Sequence, residues 1–152
     1  MLNARPGELL GVMLLLGILF GIPLAVFLAR DTAATWNASD GDAVIVLSGR
    51  NVGTLGQSGS WIVEYANIPI HKDEGVPIFH VRRGQRVLFR VTAQDVTHGF
   101  AISGYGIDAM VHAGAYENIS FVADKAGEFT IECSVFCGLG HHGMVAKLVV
   151  EA

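Results

Sequence analysis

The chain has 152 residues, a formal net charge of −4 and a mean hydropathy of +0.47, with 51% hydrophobic residues. That length holds one modest domain plus an appendage, and the hydropathy is high for a purely soluble protein. The acidic balance, with no basic stripe, excludes a nucleic-acid binder.

The apolar excess is local. Residues 9–29 (LLGVMLLLGILFGIPLAVFLA) carry no charge. As a helix rising about 1.5 Å per residue, this run spans roughly 31 Å, enough to cross a bilayer core. A cleaved signal peptide is the alternative, with Arg5 as its basic end and Thr32-Ala33-Ala34 as a poor cleavage site. The apolar part of a signal is usually only about 7–15 residues, so the run reads as a retained transmembrane helix. Arg30 and Asp31 close it. Gly17 and Gly21 sit four apart, a spacing that admits a neighbouring helix or simply reflects membrane composition, and Pro23 predicts a kink. The flanking charges barely set an orientation: Arg5 is offset by Glu8, and Arg30 by Asp31. Residues 1–30 are therefore expected to be an anchor.

Residues 31–60, rich in Ala, Asn, Asp, Gly and Ser, read as a linker or lead-in with one apolar run at 43–47. From Trp61 onward the hydropathy alternates. Val87, Phe89 and Val91 alternate with Leu88, Arg90 and Thr92; Phe129, Ile131 and Cys133 alternate with Thr130 and Glu132. Ile119 and Phe121, and the run 145–150, repeat the pattern. Turn signals separate them at Arg83-Gly84, Ala113-Gly114 and Lys125-Ala126-Gly127. The expected fold is an antiparallel β-sandwich or barrel over 61–152, all-β, on one N-terminal helix. Cys133 is in step with Phe129 and Ile131. If those two face the core, so does the cysteine.

Residues 133–144, Cys-Ser-Val-Phe-Cys-Gly-Leu-Gly-His-His-Gly-Met, hold both cysteines of the chain and two of its six histidines. Cys137, His141 and Met144 offer a thiolate, an imidazole and a thioether. With a second imidazole they would make a trigonal copper site with a weak axial ligand. His98 is the candidate, just after the strand through Val91, and Gly99 would let backbone pass close by. Cys133 is then one thiolate too many for a single metal. Two thiolates on one loop can bridge two coppers, with His98, His141 and Met144 as further ligands. Val135, midway between the cysteines, can offer only its carbonyl. A Cys-x₃-Cys disulfide, a structural zinc site and a mononuclear copper site with a spectator cysteine remain as alternatives. His142 is expected to face solvent or an interface. His71, His80 and His112 show no partner at a recognisable spacing, and Met110 reads as packing. Leu139 and Phe100, beside ligand positions, are candidates for an apolar docking patch or for ordinary loop packing.

The loop resembles the binuclear copper (CuA) loop of cytochrome c oxidase subunit II, Cys-x₃-Cys-x₃-His-x₂-Met, and Asp95-Val-x-His98 resembles that family's first-histidine motif. The phrases His-Gly-Phe and Cys-Gly-Leu-Gly-His, with one anchoring helix, look like the single-helix oxidase branch. The resemblance implies a cupredoxin-like fold and a binuclear copper cofactor bridged by Cys133 and Cys137. One copper would add His98 and Met144, the other His141 and the Val135 carbonyl. It implies three partners: a haem-copper catalytic subunit I toward which His141 would lie, a cytochrome c or small copper protein as donor, and the lipid bilayer. The chain would sit once across the cell membrane with its copper domain outside, and would catalyse no bond chemistry alone. One departure stands out. Where this chain has Val135, the oxidases commonly carry Glu or Gln reaching toward subunit I. The aromatic cluster that many members use near the donor is echoed only by Trp61 and Tyr65. The departure keeps open a second function, the CuA subunit of a nitric oxide reductase. A membrane-tethered copper carrier is a third, and the buried first cysteine argues against it.

Overall fold

The computed structural model describes residues 6–23, 38–51 and 59–152. The chain divides into two units, Met1–Asn37 and Ala38–Ala152.

In the first unit, helix α1 (Pro6–Leu16) runs into a wider π turn, Gly17–Gly21. Pro6 suits the first helical turn, where its missing N–H costs nothing. Leu10, Val12, Met13, Leu14, Leu15, Ile18, Leu19 and Phe20 are all exposed. Among the described residues no helix is long and apolar enough to cross a membrane. Residues 24–29 of the expected span lie outside the described residues, as do Arg30 and Asp31, which are expected to close it.

The described residues of the second unit form a sandwich of ten strands: β1 (Ala43–Arg50), β2 (Ser60–Ala66), β3 (Ile70–Asp73), β4 (Val76–Arg82), β5 (Arg86–Ala93), β6 (His98–Ile102), β7 (Ile107–Val111), β8 (Tyr116–Val122), β9 (Gly127–Glu132) and β10 (Val145–Glu151). One sheet has the order β2-β1-β5-β8, the other β3-β4-β10-β9-β6-β7. Most neighbours are antiparallel, as expected. Two pairs correct that expectation: β1 runs parallel to β5, and β10 parallel to β4. Both join strands distant in sequence, which needs no hairpin.

β1 lies inside the stretch 31–60 that the composition suggests is lead-in. It is instead a central strand, with Ile45 opposite Phe89 on one side and Ala66 on the other. Its burial explains why alternation does not reveal it. Ala43, Val44 and Ile45 are buried in succession, so both faces are covered.

The alternation elsewhere is as read. Val87, Phe89 and Val91 are buried, and so are Ile131 and Cys133. An aromatic column runs through the core. Ring centroids lie 5.9 Å apart for Phe79 and Phe89, 5.2 Å for Phe89 and Phe100, and 5.4 Å for Phe100 and Trp61. Each such pair contributes about 0.5–1.5 kcal/mol beyond its buried area. The column ends on the His98 ring, 6.1 Å from Trp61, so the best-packed part of the core supports the site.

Candidate metal centre

Three segments meet at one end of the sandwich: the start of β6, the loop after β9, and the short 3₁₀ turn His141–Gly143 before β10. Each strand end is held by the ladder, so ligand positions inherit strand rigidity. The Cys133 N–H donates to the Met144 carbonyl (3.2 Å), closing the loop at its base.

The structure brings the six predicted residues together. The Cys133 and Cys137 sulfurs are 3.6 Å apart. Both thiols are free, and that separation is well beyond a disulfide bond of about 2.05 Å. Cys133 Sγ lies 3.9 Å from His98 Nδ1 and 3.1 Å from the Val135 carbonyl oxygen. Cys137 Sγ lies 3.7 Å from His141 Nδ1 and 3.5 Å from Met144 Sδ. His98, Cys133 and Cys137 place one donor atom each within 4.8 Å of one another, a spacing that can hold a metal ion. His98 and Met144 are wholly buried and Cys133 nearly so, whereas Val135, Cys137 and His141 are half-buried.

A supporting shell fixes these donors, and sequence reasoning missed most of it. His98 Nε2 lies 2.8 Å from Asp95 Oδ1. A carboxylate only accepts, so the hydrogen bond assigns the proton to Nε2 and leaves the Nδ1 lone pair facing the sulfurs. Asp95 also accepts from the Asn51 backbone N–H at 2.7 Å. The Asn51 side chain clamps the loop itself: its amide donates to the Cys137 carbonyl, and its Oδ1 accepts from the Gly140 N–H at 2.8 Å. Trp61 Nε1 donates to the Met144 carbonyl at 3.2 Å. Asn51 follows β1, and no local spacing could have announced it. Asp95, three residues before His98, was visible in the motif.

Close backbone approach is built in. A Cβ on Gly99 would sit 2.8 Å from the Val135 nitrogen and 2.9 Å from the Ser134 nitrogen. A Cβ on Gly49 would meet both the His98 and the Trp61 rings at 2.9 Å. Only hydrogen fits at either place.

Two groups at the site have displaced acidities. Burial pushes the Cys137 thiol up to about 12, and the neighbouring Cys133 sulfur adds to the rise. A metal must therefore displace protons to bind, and its affinity weakens as the pH is lowered. Burial also works against ionised Asp95. The hydrogen bonds from His98 and from the Val96 and Asn51 amides outweigh it and hold the carboxyl below its ordinary value.

Other expectations sort plainly. His142 is exposed, its ring 5.5 Å from that of His141. Leu139 is 70% exposed, but Phe100 is fully buried and belongs to the core, not to a docking patch. Two residues from His98 on one strand, it shares the histidine's inward face. Trp61 is likewise buried, whereas Tyr65 is exposed. Met110 is half-exposed instead of packed.

The donor set fits a soft or borderline ion: two thiols, a thioether, two imidazoles and a carbonyl. Zinc has no use for the fully buried Met144 sulfur aimed at Cys137. The sandwich resembles a chain of a heme-copper terminal oxidase dimer solved by cryo-EM, with 21% identity, a TM-score of 0.54 and coverage of 95% of this chain and 99% of that one. At that identity the likeness shows the fold alone, a cupredoxin-like all-β sandwich. Cytochrome c oxidase subunit 2 of Thermus thermophilus is 35% identical over 71 residues, covering 47% of this chain and 53% of the relative. Nitrous-oxide reductase of Ralstonia nicotianae is 36% identical over 78 residues, 49% of this chain and 12% of that one. The chain spans about half the length of the curated oxidase relatives it matches. Residues 56–152, well over half of the chain, match the family described as cytochrome c oxidase subunit II, periplasmic domain, and the chain belongs to that family.

Proposed function

We propose that the chain is the electron-accepting subunit of a membrane haem-copper oxidase. It would take electrons from a cytochrome c or small copper protein and hand them to a haem-bearing subunit I. The residues that would hold a binuclear copper centre are Cys133 and Cys137 as bridges, with His98 and Met144 on one side and His141 and the Val135 carbonyl on the other. One observation carries this reading. Each sulfur has one neighbour from each proposed set: Cys133 has His98 and the Val135 carbonyl, and Cys137 has Met144 and His141. Two bridging sulfurs between two metals require that symmetry; a single metal does not.

When bound, a thiolate-bridged copper pair supplies a one-electron couple whose charge change is shared by two metals. The chain's own residues supply the rest. Asp95 orients the His98 ring, Asn51 and Trp61 hold the loop backbone, and the aromatic column excludes water behind it.

The first unit supports an anchor. Its described side chains from Leu10 to Ile22 are apolar and exposed, and the uncharged sequence continues to Ala29. On this reading the chain crosses the cell membrane once and carries its copper domain on the outer side.

The test is metal stoichiometry with electron spin resonance. Two coppers per chain with one electron shared over both supports the reading, and Cys133→Ser should abolish that signal. One copper, or a preference for zinc, would sink it.

Val135 favours a second acceptor. Its half-buried apolar side chain borders a surface depression shared with Val96, Met110 and Phe136, and offers nothing polar to a subunit I interface. A nitric oxide reductase subunit with the same copper centre is that alternative. The haem subunit that co-purifies in mild detergent, assayed for oxygen against nitric oxide consumption, decides between them.

A further inference from the structure

A second cluster of ligating side chains lies on the outer face of the six-stranded sheet. His71 sits on β3 and His80 on β4. These strands pair antiparallel with His71 opposite Ile78, so His80 shares the face of His71 and stands diagonal to it. β10 runs parallel to β4 on its other side, with Val149 opposite His80. Glu151, two residues on, therefore joins the same face. Phe79, Val81, Leu148 and Val150 take the core side of these strands and are buried. The register thus unites three residues separated by up to eighty positions, which no sequence spacing could show.

The three side chains form one hydrogen-bonded series. His80 Nδ1 lies 3.1 Å from Glu151 Oε1, and His80 Nε2 lies 2.9 Å from His71 Nδ1. The two rings are 4.7 Å apart and tilted by 31°. An ionised carboxylate only accepts, so Glu151 fixes the His80 proton on Nδ1 and leaves a lone pair on Nε2. That lone pair faces a second imidazole nitrogen. A carboxylate behind one imidazole, with a free nitrogen in front, is how proteins orient histidine metal ligands. One proton lies between the facing nitrogens where a cation would otherwise sit.

The fit is close. A tetrahedral zinc ion with bonds of about 2.0–2.1 Å holds two nitrogens about 3.3–3.4 Å apart. The pair at 2.9 Å needs to open by only about 0.4 Å. The recess beside it, lined by Asn67, Pro69 and Gln85 among others, is open to solvent, so water can complete the coordination. β10 leads from Val145, beside the sulfur loop, to Glu151. Six residues at about 3.3 Å each separate the two ends by roughly 20 Å. No residue is shared with the first site.

We infer that His71 and His80 form a binding site for a divalent cation of the zinc(II) class, with Glu151 holding His80 in its ligating tautomer. The site would act as a clip. β3 is a four-residue edge strand whose side chains are all exposed, and among the described residues it pairs with β4 alone. A cation shared between His71 and His80 ties that edge to the sheet and adds its binding free energy to the folded state.

The experiment is titration of the full chain, in detergent and labelled with nitrogen-15, with zinc sulfate alone. Long-range proton–nitrogen spectra read each imidazole separately, so zinc captured by His98 and His141 in the sulfur loop is distinguished. His71 Nδ1 and His80 Nε2 should shift together and saturate as a single site, and β3 amide exchange should slow. His71→Ala replaces an exposed side chain, leaves the fold intact and should abolish the His80 shift. Glu151→Gln keeps both ligands and should weaken binding about tenfold or more. Unmoved His71 and His80 resonances at millimolar zinc, or undiminished binding in His71→Ala, overturns the site. Equal affinity in Glu151→Gln overturns the role given to the carboxylate.

Discussion

Asp95 does two jobs with one carboxylate. One oxygen accepts from His98 and from the Val96 amide, and the other accepts from the Asn51 amide. The side chain therefore couples the orientation of a buried imidazole to the end of β1. Asp95→Asn keeps the shape but weakens the acceptor, and an amide can present either face to His98. We expect copper affinity to fall about 10- to 100-fold with the fold retained, measured by competition with a chelator. The same variant has a pH signature. Asp95 is held below its ordinary value of 3.8, so its contribution to stability is full above that value. It is lost as pH falls through the depressed folded value. Acid unfolding of the metal-free chain should therefore lose part of its steepness below about pH 4 in Asp95→Asn.

At the scale of elements, the loop between β9 and β10 owes its shape to neighbours that leave it room. Gly99 on β6 faces the Ser134 and Val135 nitrogens. Adding a methyl group there must move the loop backbone, since no flexible side chain can yield enough. Gly99→Ala should cost about 1–3 kcal/mol in chemical denaturation and broaden or abolish the copper signal, because Cys133 and the Val135 carbonyl move with the loop. β1 has a larger effect. The family match begins at residue 56, yet β1 ends at Arg50 and sits between β2 and β5. A chain starting at residue 56 would expose two unpaired strand edges and the buried faces of Phe89 and Trp61. We expect it to aggregate on expression, while a chain starting at residue 38 stays soluble; size-exclusion chromatography separates the outcomes.

What was legible in the sequence follows the same division. β5, β8, β9 and β10 declared themselves because each has one drier and one wetter face, even where, as in β8, the drier face is only half-buried. Cys133 could be placed by counting back along β9. The ligand loop was legible because metal donors are few in kind and their spacing is local. β1 was not, since a strand covered on both sides loses the alternation. Asn51 was not, since a lone polar residue says nothing of a partner 86 residues away. Phe100 reads from sequence as either docking or packing because of its nearness to His98, although two positions along a strand keep both on the inward face.

The whole molecule presents a mixed surface to a partner. Its net charge of −4 favours long-range approach of a basic protein. Next to the sulfur loop, however, Phe136 and Leu139 are 75% and 70% exposed, and Val96 and Met110 about half. Charge would then govern approach, and apolar contact the final fit. Phe136→Ala should leave stability within about 0.5 kcal/mol, as an exposed site. On the electron-accepting role proposed above, it should slow uptake from a donor while the ionic-strength dependence stays unchanged, measured by stopped-flow at several salt concentrations.

The Asn51 clamp has a consequence for the order of events during biosynthesis. Its partners Cys137 and Gly140 lie 86 and 89 residues later in the chain. Eight strands, β2 to β9, lie between Asn51 and these partners, so the clamp closes only after all eight have been made. β10, the strand between β4 and β9, follows the loop, so the thiols are fixed only as the six-stranded sheet closes around them.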